Sequence, residues 1–312
     1  MTTGLALGVG FGPGTLGFPS AAEVLEYGRR AEELGFDHYW VNDHVSWSHP
    51  LLDPVALLSA VSARTTRIGL ATGVYLLPLR APAATARAFA SLDYLSGGRV
   101  ILGIGVGGEF EADFTSSGVP LRRRGPRADT TIRLLREFWS GAEVDRHDVD
   151  FDFDAATVLP TPVRGDIPVI VGGRSEVALR RAATLGDGWM PYLMHPERVA
   201  AGVARLAELA PDRTPRVIAH VFVYLDPDAT AARERAIEYL SAQYHRDMTA
   251  TVDRAVPYGS VEAVRERLLE YVEAGATDVV VRPLAAPENL LASLESAGEI
   301  SAGWMRSGRE TA

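Results

Sequence analysis

Val100-Ile-Leu-Gly-Ile-Gly-Val-Gly-Gly-Glu109 is the stretch on which the fold turns. Its first residues are continuously apolar, the pattern of a parallel strand buried on both faces. Its end, Gly103-Ile-Gly-Val-Gly-Gly108, matches the G-x-G-x-x-G dinucleotide fingerprint letter for letter. That fingerprint belongs after the first strand of a doubly wound sheet, opens a helix at once and meets an acidic strand end about 20 residues later. Here Glu109-Phe-Glu-Ala-Asp-Phe114 follows, and Arg122-Arg-Arg-Gly-Pro-Arg127 stands where the acidic residue should be. The run therefore reads as a strand end that exposes bare glycine backbone to a cofactor, with Glu109 available as an acid.

Outward from this run the same alternation recurs: a short apolar segment, a glycine or polar turn, then a helical stripe. Strands are expected at Leu5–Phe11, His38–Asn42, Arg67–Val74, Val100–Gly105, Val169–Gly172, Gly188–Pro191, Arg216–Leu225 and Asp278–Pro283. Ser20 and Glu23 form a capping box ahead of Val24, Tyr27, Ala31 and Leu34, and Gly35 closes that helix. Asp53-Pro54 opens a second helix. Further helices are expected at Pro82–Leu95, Asp129–Trp139, Ser175–Leu185, Glu197–Leu209, Ala229–Tyr244 and Val261–Ala274. Eight such alternations predict an α/β fold, a (β/α)8 TIM barrel with insertions, as a single domain over residues 1–312. An open doubly wound sheet is the structural alternative.

Two stretches break the rhythm. Residues 143–168 carry Asp145, Asp148, Asp150, Asp152 and Asp154 around Phe151 and Phe153, and read as a solvated hairpin; the calcium-loop spacing is missing. Residues 243–259 form a second excursion, either a lid over the barrel mouth or a plain surface loop.

Composition narrows the chemistry. The chain has 312 residues, 47% of them hydrophobic and 23% charged, with a formal charge of −9, which disfavours a nucleic-acid partner. All 31 basic residues are arginine, so no lysine Schiff base or Walker-type lysine is available. Cysteine is absent, which excludes disulfides, thiolate metal sites and cysteine nucleophiles. The histidines lack metal-ligand spacing, so no metal site is expected. No apolar stretch approaches the roughly 18 residues of a membrane span, and no leader pattern precedes the first strand. The expectation is a cytoplasmic protein with a small-molecule substrate and no membrane or nucleic-acid partner.

In a barrel, function collects where strands end. After strand two comes Asn42-Asp43-His44, with Trp47 and His49 following. A carboxylate such as Asp43 beside His44 sets the imidazole tautomer and suits it as a general base, although a loop packed by its own hydrogen bonds reads the same way. Strand three ends Thr72-Gly73-Val74, strand four at Gly105, Gly107 and Gly108, and strand five at Gly172-Gly-Arg-Ser175. The last passes straight into a helix, so free N–H groups, the Ser175 hydroxyl and Arg174 make a phosphate cradle or, more plainly, a helix cap. Arg122–Arg124 with Arg127 reads as a solvated helix start or as an attractor for an anionic cofactor tail.

Together these segments resemble the luciferase-like monooxygenase superfamily, in particular its coenzyme F420-dependent oxidoreductases. The likeness lies in Glu33-Leu-Gly-Phe-Asp37 with Trp40-Val-Asn-Asp-His44, in Arg67-Ile-Gly-Leu-Ala-Thr-Gly-Val74, and in Ala88–Gly105. Pro168-Val-Ile-Val-Gly-Gly173 and Arg180–Trp189 continue it, after which it thins until Val279–Pro283. The resemblance implies a TIM barrel, usually dimeric, with a flavin or deazaflavin in its mouth. It places the phosphate at Gly172, Gly173 and Ser175, and a non-prolyl cis peptide supporting the ring at Gly73–Val74. In that branch the position of His44 is the base, that of Glu109 an acid, and a tryptophan lies near Trp47, here one residue closer to the histidine than in the family's pattern. Sugar-phosphate-oxidising relatives hold their phosphate with lysines, which this chain lacks. Trp47, Met194, His195 and Arg282 are left as candidate substrate residues around a more apolar mouth, which argues against glucose 6-phosphate.

The resulting expectation is an F420-dependent oxidoreductase passing a hydride between the deazaflavin and a small alcohol, ketone or activated alkene. An FMN-dependent monooxygenase using oxygen is the alternative, and a non-catalytic flavin- or deazaflavin-binding barrel is a third reading.

Overall fold

The computed structural model describes residues 5–12 and 17–310. Eight parallel strands close a barrel: β1 (Ala6–Phe11), β2 (His38–Val41), β3 (Gly69–Thr72), β4 (Val100–Gly105), β5 (Val169–Gly172), β6 (Gly188–Met190), β7 (Arg216–Leu225) and β8 (Asp278–Pro283). Each pairs with the next in parallel, and β8 returns to β1 with Leu7 opposite Val279. Closure rules out the doubly wound alternative, which leaves two open edges. Around the barrel lie α1 (Ala21–Glu33), α2 (Pro54–Ser62), α3 (Pro82–Ser96), the short α4 (Glu111–Ser116), α5 (Arg124–Trp139), α6 (Glu176–Leu185), α7 (Pro196–Leu209), α8 (Ala229–Tyr244), α9 (Thr249–Ala255), α10 (Val261–Glu273) and α11 (Leu290–Glu310).

Side chains alternate across every strand, as the two-residue period demands. The lumen takes Trp40, Ala71, Ile101, Ile170, Met190, Ile218 and Val280, one from each of β2 to β8. Their neighbours, such as Tyr39, Val41, Leu102, Val171 and Val281, point outward into the shell under the helices. Trp40 is the largest lumen residue, and β1 yields to it with glycine. A Cβ on Gly8 would lie 2.8 Å from the Trp40 ring nitrogen.

Helix ends obey local chemistry. Ser20 and Glu23 form the expected capping box, and Gly35 has φ +83. Asp53 caps α2 by accepting from the Val55 and Ala56 amides at 3.0 Å. Two elements differ from their expected bounds by more than one residue, and a third departure is a short helix that was not expected. α5 begins at Arg124 instead of Asp129, because Pro126 falls in the first turn, where its missing N–H costs nothing. β3 stops at Thr72, ahead of the cis Gly73–Val74 bond; Tyr75–Leu76 then pairs again with the end of β4. The third is α4, too short for a periodic signal.

The excursion over 143–168 contains an antiparallel hairpin, Val144–His147 with Asp152–Ala156, as its alternating aspartates suggested. The second, 243–259, contains α9 and a two-residue strand, Tyr258–Gly259, beside β7. Among the described residues no helix is long and apolar enough to cross a membrane.

Candidate active site

The strand C-termini surround a cavity enclosing about 920 Å³ with its open mouth included. One wall is glycine backbone from three strand ends: Gly73, then Gly105 and Gly107, then Gly172 and Gly173. Val74, following the cis bond, lies between these glycines. A Cβ on Gly105 would come 2.5 Å from one Val74 methyl, and a Cβ on Gly172 would come 2.6 Å from the other. The Val74 side chain fills the space between these two glycines and leaves no room for a Cβ on either. Met190, Leu76, Trp47, Tyr192, Phe222 and Tyr244 are among the other lining residues.

His44 faces this cavity from the loop after β2. Its Nδ1 lies 2.7 Å from Oδ2 of Asp113, a residue of α4 that is 1% exposed. The other Asp113 oxygen accepts the Val45 and Ser46 amides, each at 2.8 Å. A carboxylate so placed takes the imidazole proton onto Nδ1 and leaves Nε2 as the basic lone pair. Trp47 stands edge-on to the His44 ring at 4.1 Å and Phe110 at 5.3 Å, which fixes the ring plane.

Asp43, expected to orient His44, does something else. Its carboxylate forms a two-point ion pair with Arg80, at 2.5 and 2.7 Å, and accepts the Leu76 amide at 2.8 Å. Asp43 and His44 both border the cavity, but the described hydrogen bonds of the Asp43 carboxylate go to Arg80 and the Leu76 amide of the β3 bulge. Asp113 is the orienting carboxylate.

Glu109 sits at the rim, where one oxygen accepts the Tyr192 hydroxyl at 2.7 Å and lies 3.9 Å from Arg174. The Arg174 guanidinium stacks on the Tyr192 ring at 4.8 Å. Burial, with the Glu109 charge beside it, pushes the Tyr192 hydroxyl above its ordinary value, so it stays a donor. Ser175 caps α6, accepting the Ala178 amide at 3.2 Å.

The residues present fit a planar cofactor. On the glycine wall Val74 is the one side chain between Gly105 and Gly172, and buried polar atoms at the cavity, His220 Nδ1, Gln243 Oε1 and Trp47 Nε1, have no protein partner.

Residues 1–278 match the family model of the luciferase-like monooxygenases. The chain belongs to that family. Among this luciferase-like chain's curated relatives, the F420-dependent glucose-6-phosphate dehydrogenase of Amycolatopsis mediterranei is 33% identical over 189 residues, 56% of each chain. The chain thus spans little more than half the length of the curated relatives it matches first. Among solved structures, an F420-dependent secondary alcohol dehydrogenase in complex with an F420-acetone adduct superposes with a TM-score of 0.83 at 19% identity. That match covers 95% of this chain and 98% of the other. Monooxygenase RslO1 from Streptomyces bottropensis gives 0.81 at 22% identity, with the same coverage. At these identities the structural likeness concerns the fold, and it agrees with the barrel above.

Within the luciferase-like frame, Asp43, His44, Trp47, Gly73, Val74, Gly105, Gly107, Gly172, Gly173 and Glu109 come together at one cavity; Arg174 lies beside Glu109, Ser175 caps α6, and a Cβ on Gly108 would lie 3.1 Å from Arg124. Other expected residues lie elsewhere. Thr72 is buried, its hydroxyl donating to the Gly103 carbonyl at 2.7 Å as a strap between β3 and β4. His195 heads α7, 2.7 Å from Glu197, and does not line the cavity. Met194 belongs to the outer core. Arg282, 2% exposed, lies behind the lining, 4.8 Å from the Phe222 ring. In the arginine run, Arg123 pairs with Asp150 and Arg127 donates to the Pro78 and Asp150 carbonyls, so both tie down the hairpin and are not free for a cofactor tail. Sequence reasoning missed Asp113, Tyr192, His220, Gln243 and Tyr244. Only His220 left a signal, a histidine in the apolar run of β7.

Proposed function

We propose that this chain is an F420-dependent oxidoreductase that passes a hydride between the deazaflavin and a small, largely apolar alcohol, ketone or activated alkene, with His44 carrying the accompanying proton. The observation that carries this reading is the His44–Asp113 pair facing a glycine-walled cavity. Hydride exchange at a carbinol carbon needs a base on the hydroxyl, and the free Nε2 of His44 is that base. F420 dependence is what the Amycolatopsis relative and the alcohol dehydrogenase of similar fold are named for.

Gly172, Gly173 and Ser175 would hold the phosphate, and Val74 with Gly105 and Gly107 would support the ring. Bound there, the deazaflavin would supply the carbon that accepts or returns the hydride. In the oxidative direction His44 takes the hydroxyl proton at Nε2, and Asp113 stabilises the imidazolium through Nδ1–H. Glu109, joined to the Tyr192 hydroxyl, is the second proton carrier at the rim. Trp47, Met190, Phe222 and Tyr244 exclude water and suit an apolar substrate. With no lysine in the chain and no arginine lining the cavity among the described residues, a sugar phosphate is disfavoured. The same reading takes the chain as a homodimer, which sedimentation would check.

Titration of the purified protein with F420 and with FMN tests the reading. F420 should bind, secondary alcohols should then reduce it without oxygen, and His44→Ala should keep the dissociation constant while losing about 1000-fold in turnover. Tight FMN binding with no affinity for F420, and oxygen-dependent turnover, would replace the reading by the monooxygenase one. Cofactor binding without turnover of any alcohol, ketone or alkene would favour the non-catalytic barrel.

A further inference from the structure

The cavity is also bounded by β7 and by the end of α8, where His245 stacks on His49 of the His44 loop, and this side carries polarity that no protein atom satisfies. Gln243 is 1% exposed, lines the cavity, and its Oε1 has no partner. His220, from mid-strand β7, is 5% exposed, lines the same cavity, and its Nδ1 is equally unpaired. Phe222, edge-on to the His220 ring at 5.5 Å, and Tyr244 line the same cavity. A buried amide or imidazole without a partner costs about 1–3 kcal/mol, so two on one wall gain from any polar group that enters the cavity beside them. Neither takes part in the proton transfer assigned to His44.

We infer that Gln243 and His220 form a second recognition point, for a neutral hydroxyl or carboxamide that the substrate carries in addition to its reacting carbon. Gln243 offers an acceptor and donors, and a neutral imidazole offers one of each, so the matching group both donates and accepts. Burial and the Arg282 charge hold His220 down to about 3, so it is neutral at working pH. An anionic group does not fit, because no cationic side chain lines the cavity among the described residues. The inference goes beyond the cofactor assignment and stands whether the ring is a deazaflavin or a flavin.

The test compares secondary alcohols with the same skeleton, with and without a second hydroxyl or a carboxamide, on the cofactor-loaded enzyme and its Gln243→Leu variant. Binding is read by thermal shift with the corresponding ketones, and turnover by kcat/KM. The wild type should favour the bifunctional compounds about ten-fold, the worth of one hydrogen bond to an otherwise unpaired buried group. Gln243→Leu should bring that ratio close to one and raise the melting temperature, because an apolar side chain replaces an unsatisfied amide. His220→Asn, which keeps a donor and an acceptor, should retain part of the preference. A wild type indifferent to the second group would overturn the inference, the wall then being satisfied by water. So would a Gln243→Leu protein that melts lower with the ratio unchanged, since Gln243 would then be structural. Thermal shifts by the ketones are read without turnover, so a failure of the dehydrogenase reading would leave this comparison intact.

Discussion

At the residue scale, the site turns on one carboxylate choosing one imidazole tautomer. Asp113 accepts from His44 Nδ1 and from two backbone amides. Asparagine at this position would keep an acceptor for the amides but present its NH2 to Nδ1. The imidazole proton would then move to Nε2, and the lone pair facing the cavity would be lost. Asp113→Asn should therefore lower kcat by about 100- to 1000-fold with the cofactor dissociation constant unchanged. A parallel loss of cofactor affinity would mean that Asp113 only builds the loop. A second buried group reports on stability. The folded value of His220, about 3, lies below the ordinary histidine value of about 6.5, because burial and then the Arg282 charge disfavour the imidazolium. Between these limits the unfolded chain binds the extra proton, so stability is complete above about pH 6.5 and is lost as pH falls toward 3. The slope approaches about 1.4 kcal/mol per pH unit. His220→Asn should flatten this dependence in urea unfolding between pH 4 and 7. A variant with the wild-type slope would show that other groups set it.

At the element scale, what was legible in the sequence follows from how each signal is encoded. The barrel strands were legible because each is a compact apolar run with a glycine or polar stop; β4, β5, β7 and β8 have the expected bounds. The glycine wall was legible for the same reason, as Gly105 and Gly172 stand at strand ends. The His44 partner was not. Asp113 is 69 positions away on a six-residue helix, and adjacency along the chain pointed to Asp43, whose carboxylate is taken up by Arg80 and the Leu76 amide. Gln243 and Tyr244 lie at the end of α8 and at the start of an excursion that only tertiary packing brings over the mouth. The wall also gives a test. A Cβ on Gly172 would lie 2.6 Å from a Val74 methyl and 3.2 Å from the Ile104 carbonyl oxygen, so Val74 must shift into the cavity. Gly172→Ala should weaken cofactor binding about ten-fold while lowering the melting temperature by only a few degrees. Unchanged affinity would move the cofactor off this wall.

At the scale of the whole molecule, closure decides how the protein unfolds. The lumen side chains come from seven strands, and the seams β4–β5 and β8–β1 are each an ordinary parallel ladder in one continuous barrel. Splitting the chain at these seams would expose Trp40, Ala71 and Ile101 on one half, and Ile170, Met190, Ile218 and Val280 on the other. It would also leave four strand edges without partners. Neither half keeps a lumen, so neither offers a stable intermediate, and the chain should behave as the single domain proposed from its sequence. The tryptophans sample the structure broadly: Trp40 in the lumen, Trp47 at the mouth, Trp139 on α5, Trp189 on β6 and Trp304 on α11. Tryptophan fluorescence and far-ultraviolet circular dichroism should therefore give one coincident urea transition. Saturating F420 at about 100 times its dissociation constant should move that transition upward as one unit, by about 2.7 kcal/mol. Two separated transitions, only one of them shifted by cofactor, would show that part of the barrel folds independently and carries the site without the rest.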